Sequence, residues 1–196
     1  MRPEACSGGL AEAVSAPPTG TDSLVYPLDE FYARERVPLP RIETVPPGAV
    51  PEPYRSLLVH DDDMTPTLEL YYRSAIHIEV WGRERREDFY FREVVLRLDR
   101  DQRAVEFGAN KVNLALFEPA VQRLILDEYL PLGHILHLRH VPHHGHPMGY
   151  LRIESDPLMN RAFRLNGSHT LYGRRNTIRD PQGRALSEIV EILPPA

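Results

Sequence analysis

Between Ala75 and Trp81 the chain alternates, with Ile76, Ile78 and Val80 in every second place and His77, Glu79 and Trp81 between them. That is the period of a half-buried strand. A charged turn, GRERRED, separates it from FYFREVVLRLD, where Tyr90, Arg92, Val94, Leu96 and Leu98 share one face and Phe89, Phe91, Glu93, Val95 and Arg97 the other. Apolar residues on both faces predict an interior strand. AVEFGANKVNL reads as a third strand, and HTLYGRRNTIRD and RALSEIVEILP as two more joined by the turn Asp180-Pro181-Gln182-Gly183.

Helical spacing shows in EPAVQRLILDEYLPLG, where Val121, Leu124, Ile125 and Tyr129 recur, with Pro119 at the entry and Pro131 to Gly133 at the exit. PEPYRSLLVH reads as a short helix. After Asp61-Asp62-Asp63 a second one is predicted, with Asp63 or Thr65 as cap and Pro66 tolerated in the first turn. HILHLRHVPHHGHPMGYLRI has no clear period, and SDPLMNRAFRLNGS carries turn signals at Asp156-Pro157 and Asn166-Gly167. Strands in meander order with few helices predict an α+β fold: a single antiparallel sheet with helices packed on one side.

Residues 1–50 are rich in proline, with Pro17-Pro18, Pro38, Pro40 and Pro46-Pro47. Proline removes a backbone donor and restricts the residue before it, so this part reads as an arm. Within it SLVYPLDEFYARE holds enough apolar surface to dock on the domain or on a partner subunit. The body is assigned to residues 51–196. At 196 residues, with 42% hydrophobic and 26% charged residues, the chain is ordinary for one globular domain.

The formal charge is −5, and basic residues are scattered among acidic ones, so the expectation is no nucleic-acid partner. Cys6 is the single cysteine, which excludes an intrachain disulfide and a multi-cysteine zinc site. With neither a signal-peptide core nor a membrane-length apolar run, a cytoplasmic protein without membrane partners is expected. A homodimer is left open.

Two charged residues stand out on apolar strand faces. Arg92 cannot shed its charge and needs an anion if it points inward. Glu188 shares a face with Leu186, Val190 and Ile192. The two either neutralise one another or frame a pocket for an anionic ligand. Six of the nine histidines lie between His134 and His146. Pro142 breaks the helical spacing of His140 and His144, HExxH is absent, and no carboxylate interrupts the run, so a solvated loop without a metal is expected. GxSxG and phosphate-binding glycine loops are absent.

Taken in order, LLVHDDDMTPTLE, FREVVL, LPLGHIL, LYGRRNTI and ALSEIVEILP resemble the successive motifs of the chorismate lyase (chorismate pyruvate-lyase) and chorismate-lyase-like family, over Pro51 to Pro194. The resemblance implies a buried ligand cavity contacted by Met64, Arg92, Leu132 and Glu188. It implies a cofactor-independent carbon–oxygen lyase that removes pyruvate from chorismate to leave 4-hydroxybenzoate, with Arg92 pairing a substrate carboxylate and Glu188 as proton donor. Extra residues between Glu188 and Pro194 leave Glu191 as the alternative inward carboxylate, which a bulge would accommodate. The long segment from Leu138 to Asn166 leaves room for another substrate, as in a tailoring enzyme of secondary metabolism that guides elimination or cyclisation of a larger carboxylate or polyketide. A third reading is a non-catalytic small-molecule sensor, because effector domains of GntR-type regulators share this fold. Its DNA-binding part would be separate, since residues 1–50 are too proline-rich for a winged helix.

Overall fold

The computed structural model describes residues 23–196; Cys6, Pro17 and Pro18 lie outside them. Seven strands form one sheet: β1 (Ile42–Val45), β2 (Ile76–Arg86), β3 (Phe89–Leu98), β4 (Ala104–Asn113), β5 (His144–Glu154), β6 (Thr170–Arg179) and β7 (Ala185–Leu193). Their order is β1-β5-β6-β7-β4-β3-β2, and every pairing is antiparallel. The α+β class and the single antiparallel sheet are as the strand periodicity implied. β3 lies between β2 and β4, and both of its faces carry apolar side chains because both are covered by helices.

Helices divide between the two faces of the sheet. On one face pack α2 (Tyr54–Leu58), α3 (Met64–Tyr72), α4 (Pro119–Leu126) and α5 (Leu132–Leu138). Leu57, Leu58, Met64 and Leu68 meet Val94, Leu96 and Leu98 in one apolar cluster, while Val121, Ile125, Leu132, Ile135 and Leu136 meet Tyr90, Val112, Ile178 and Ile189 in another. The other face is covered by α1 (Leu28–Glu35) and α6 (Pro157–Phe163), whose Leu28, Phe31, Tyr32, Met159 and Ala162 pack on Phe91, Val95, Phe107, Val190 and Ile192. Residues 23–50, which read from sequence as an arm, therefore supply a core helix and the edge strand β1, paired with β5 from Ile42↔Ile153 to Val45↔Tyr150.

Three segments differ from their sequence reading. The single helix expected over residues 118–133 is two: α4 stops at Leu126, Tyr129 is exposed, and Pro131 stands at the N-cap of α5 rather than past a C-terminus. A proline before a first turn starts a helix as readily as one after a last turn ends it. Asp156-Pro157 is likewise a helix start, the Asp156 carboxylate accepting the Met159 amide at 2.8 Å. The histidine run is not a loop throughout: His134 and His137 are on α5, and His144 and His146 open β5.

Candidate functional site

Side chains in register on adjacent strands share a face, so the pairings Arg92↔Asn110, Asn110↔Ile189 and Asn176↔Ile189 place these four on the face covered by α2 to α5. Along the same face run Val94, Glu106, Arg174 and Glu191. They form a polar band between the two apolar clusters, and above it the openings of α3 and α5 contribute Asp63, Met64, Thr65, Leu132 and Gly133. These groups, Arg174 excepted, line a cavity of about 40 Å³. Met64, Arg92 and Leu132 all reach it; Glu188 does not.

Glu188 pairs in register with Lys111 and Thr177, one position out of phase with Arg92. Its carboxylate takes the Lys111 ammonium at 3.0 Å on the opposite face, where Lys111 also lies over the Phe89 ring. The carboxylate β7 turns into the cavity is Glu191. Both faces of β7 are buried, so alternation alone did not choose between the two, and the two-residue period separates them.

Arg92 and Arg174 are both fully buried. Arg174 is satisfied: Nε donates to Glu191 Oε2 at 2.5 Å, Nη1 to the His60 carbonyl at 2.8 Å and Nη2 to the Asp62 carbonyl at 3.0 Å. Burial opposes its charge, but Glu191 beside it holds its pKa above the ordinary arginine value. Arg92 has only neutral partners, Asn110 Oδ1 at 3.1 Å from Nε and a long 3.5 Å contact from Nη1 to the Ile125 carbonyl. Its Nη2 has no hydrogen-bond partner among the described residues. Burial pulls its pKa down to about 10, against the weaker pull of Tyr90 and Glu128, so it stays charged at neutral pH.

Glu106 completes the band. Burial first, and then the Glu191 charge, push its carboxyl well above the usual carboxylate range, with Arg174 opposing. Glu106 Oε2 is buried with no hydrogen-bond partner among the described residues. Periodicity had missed Glu106, Asn110 and Arg174. Glu106 and Asn110 alternate with Phe107 and Ala109 as Arg92 does with its neighbours, which is a signal of the same kind.

No family model matches the chain, and no curated protein matches its sequence. Solved structures do. The effector domain of PhnF from Mycobacterium smegmatis superposes with a TM-score of 0.50 at 11% identity, over 67% of this chain and 88% of that one. A GntR-family transcriptional regulator from Bacillus cereus gives 0.45 at 12% identity, over 61% and 92%. YydK from Bacillus subtilis subsp. subtilis str. 168, described as a possible transcriptional regulator, gives 0.46 at 7% identity, over 61% of this chain and 58% of its own. At these identities the likeness is one of fold.

Two expectations are corrected here. The lyase reading is set aside, whether for chorismate or for a larger substrate. The fold occurs as an effector domain in PhnF, and the proton donor the lyase reading assigned, Glu188, sits on the far face of the sheet, held by Lys111. Chorismate, 4-hydroxybenzoate and pyruvate gain no support from these likenesses. The exclusion of nucleic acid as a partner also falls, because this fold occurs in PhnF as an effector domain, and scattered charge on one domain says nothing about the partners another domain holds. No helix of the described residues is long and apolar enough to cross a membrane.

Proposed function

We propose that this chain is a small-molecule sensor domain that holds an anionic ligand, a carboxylate in the first instance, against Arg92. One observation carries the reading: a fully buried guanidinium at a cavity wall whose Nη2 has no partner among the described residues. An unmet buried donor costs about 1–3 kcal/mol, and an oxyanion accepting from Nη1 and Nη2 together removes that cost with charge assistance. Glu106, whose burial favours the neutral carboxyl, offers a second donor from the other side of the band.

The size of the cavity favours sensing over simple storage. About 40 Å³ accommodates a water or two, so a larger ligand enters only as the openings of α3 and α5 part. Binding is then linked to a change of shape, and a ligand shifts a protein between two states by its differential affinity for them. In this reading nucleic-acid contact belongs to a separate domain or protein.

The test is thermal unfolding with a panel of aliphatic and aromatic carboxylates and inorganic phosphate, on the native chain and on Arg92→Leu. A compound that raises the native midpoint and leaves Arg92→Leu unmoved supports the reading. Equal stabilisation of both overturns Arg92 as the anchor.

A further inference from the structure

Two histidines of the run 134–146 meet a carboxylate that is distant in sequence. Asp63 Oδ2 lies 3.0 Å from His137 Nε2 and 2.8 Å from His143 Nε2, and the three donor atoms are all within 4.8 Å of one another. Gly145 makes this possible: a Cβ there would come within 2.3 Å of the Asp61 carbonyl, so the absence of one lets residues 61–63 lie against the start of β5.

The orientation of His143 adds an independent observation. Its Nδ1 is 2.7 Å from the Val141 carbonyl. A carbonyl only accepts, so Nδ1 carries a proton, and Nε2 is turned toward Asp63. Between Nε2 and the carboxylate oxygen a positive centre is favoured, supplied either by the ring's second proton, which Asp63 stabilises, or by a metal ion. A backbone carbonyl fixing the far nitrogen is also how proteins orient imidazoles that bind metals. Asp63 agrees with this picture. It occupies the N-cap of α3 yet makes no side-chain capping hydrogen bond, its carboxylate being committed to the imidazoles.

We propose that Asp63, His137 and His143 bind a divalent transition ion of the zinc class. Two imidazoles and one carboxylate, without thiolate, suit Zn²⁺, Co²⁺ or Ni²⁺ and disfavour Ca²⁺ and Mg²⁺, which prefer all-oxygen surroundings. Bond lengths near 2.1 Å set tetrahedral ligand separations of about 3.4 Å, so the two Asp63 contacts open by about half an ångström to admit the ion. Asp63 and His143 are shielded while His137 is largely exposed, giving the ion an approach from solvent. The remaining coordination position faces a surface cleft of about 540 Å³ lined by Asp61, Pro66, Leu70 and His144, and takes water or a ligand atom. Asp63 also walls the Arg92 cavity, but the metal site does not depend on what that cavity holds.

The experiment titrates the chelator-treated, tag-free chain with Co²⁺ near neutral pH, following the visible d–d bands, and then displaces it with Zn²⁺. The expected result is one ion per chain with the strong absorption of a four- or five-coordinate site. Since loss of even an outer-sphere partner weakens metal binding about 10–100-fold, His137→Ala and His143→Ala should each weaken it by at least about 100-fold, while His140→Ala leaves it unchanged. His137 is exposed, so His137→Ala keeps the fold and decides the matter if His143→Ala does not. Absence of these bands in the native chain, or bands that survive His137→Ala, overturns the proposal.

Discussion

Arg92 and Arg174 lie on the same sheet face, both without solvent exposure, yet the fold treats them in opposite ways. Around Arg174 a carboxylate and three carbonyls close every direction of the guanidinium. Around Arg92 an amide oxygen and one long carbonyl contact leave Nη2 bare. Bringing a charge out of water is costly unless it is paired and hydrogen-bonded. Arg174 is thus a structural joint, tying β6 to the 58–62 segment, whereas Arg92 carries a cost that no described residue relieves.

Substitutions at the two positions should therefore differ in sign. Arg174→Met strands Glu191 in the band, and denaturant unfolding should show a loss of about 3–5 kcal/mol, the cost of breaking a buried pair from one side; a loss below about 1 kcal/mol would show the pair to be dispensable. Glu93, on the other face of β3, gives the next largest effect. Burial, with Glu35 adding to it, raises its pKa from the ordinary 4.5 to about 7, and Oε1 has no hydrogen-bond partner among the described residues. The folded state then binds the proton more tightly than the unfolded one, so this contribution to stability is complete below pH 4.5 and is lost as pH rises through about 7. At 1.36 kcal/mol per unit, the loss approaches about 3 kcal/mol. Glu93→Gln should flatten the pH dependence of unfolding over that window; an unchanged slope would place the titration elsewhere.

Arg92→Leu should do the reverse of Arg174→Met, leaving stability unchanged or raising it by about 1 kcal/mol as an unmet donor is removed, while anion-induced stabilisation disappears. A large destabilisation would make Arg92 a second structural joint and end the contrast. The smallest effect belongs to Glu188→Gln. The Lys111–Glu188 pair is partly exposed, so a change below about 1 kcal/mol is expected, with anion binding intact. Loss of anion binding in this variant would return Glu188 to the site.

Much of the architecture was legible along the chain. Ile76, Ile78 and Val80, the two-faced run from Phe89 to Leu98, and the Asp180–Gly183 turn each carry a local period or turn chemistry, and each became the element it predicted. Arg92 was legible too, as a charge among apolar residues on a strand face. The division of residues 118–133 into α4 and α5 was not, because a proline signals a helix boundary without saying which end.

The amino-acid sequence by itself determined the class of fold, the strands and their alternation, and that Arg92 would need an anion wherever it turned inward. Those properties follow from nearest-neighbour sterics and from a period along one strand. Only the tertiary structure decided that Arg92 shares a cavity with Glu191 and Glu106 rather than with Glu188, that Arg174 takes the available carboxylate, and that Asp63 meets His137 and His143. Such meetings depend on sheet order, on register, and on a helix laid across strands distant in sequence, and a one-residue change in register moves a side chain to the opposite face.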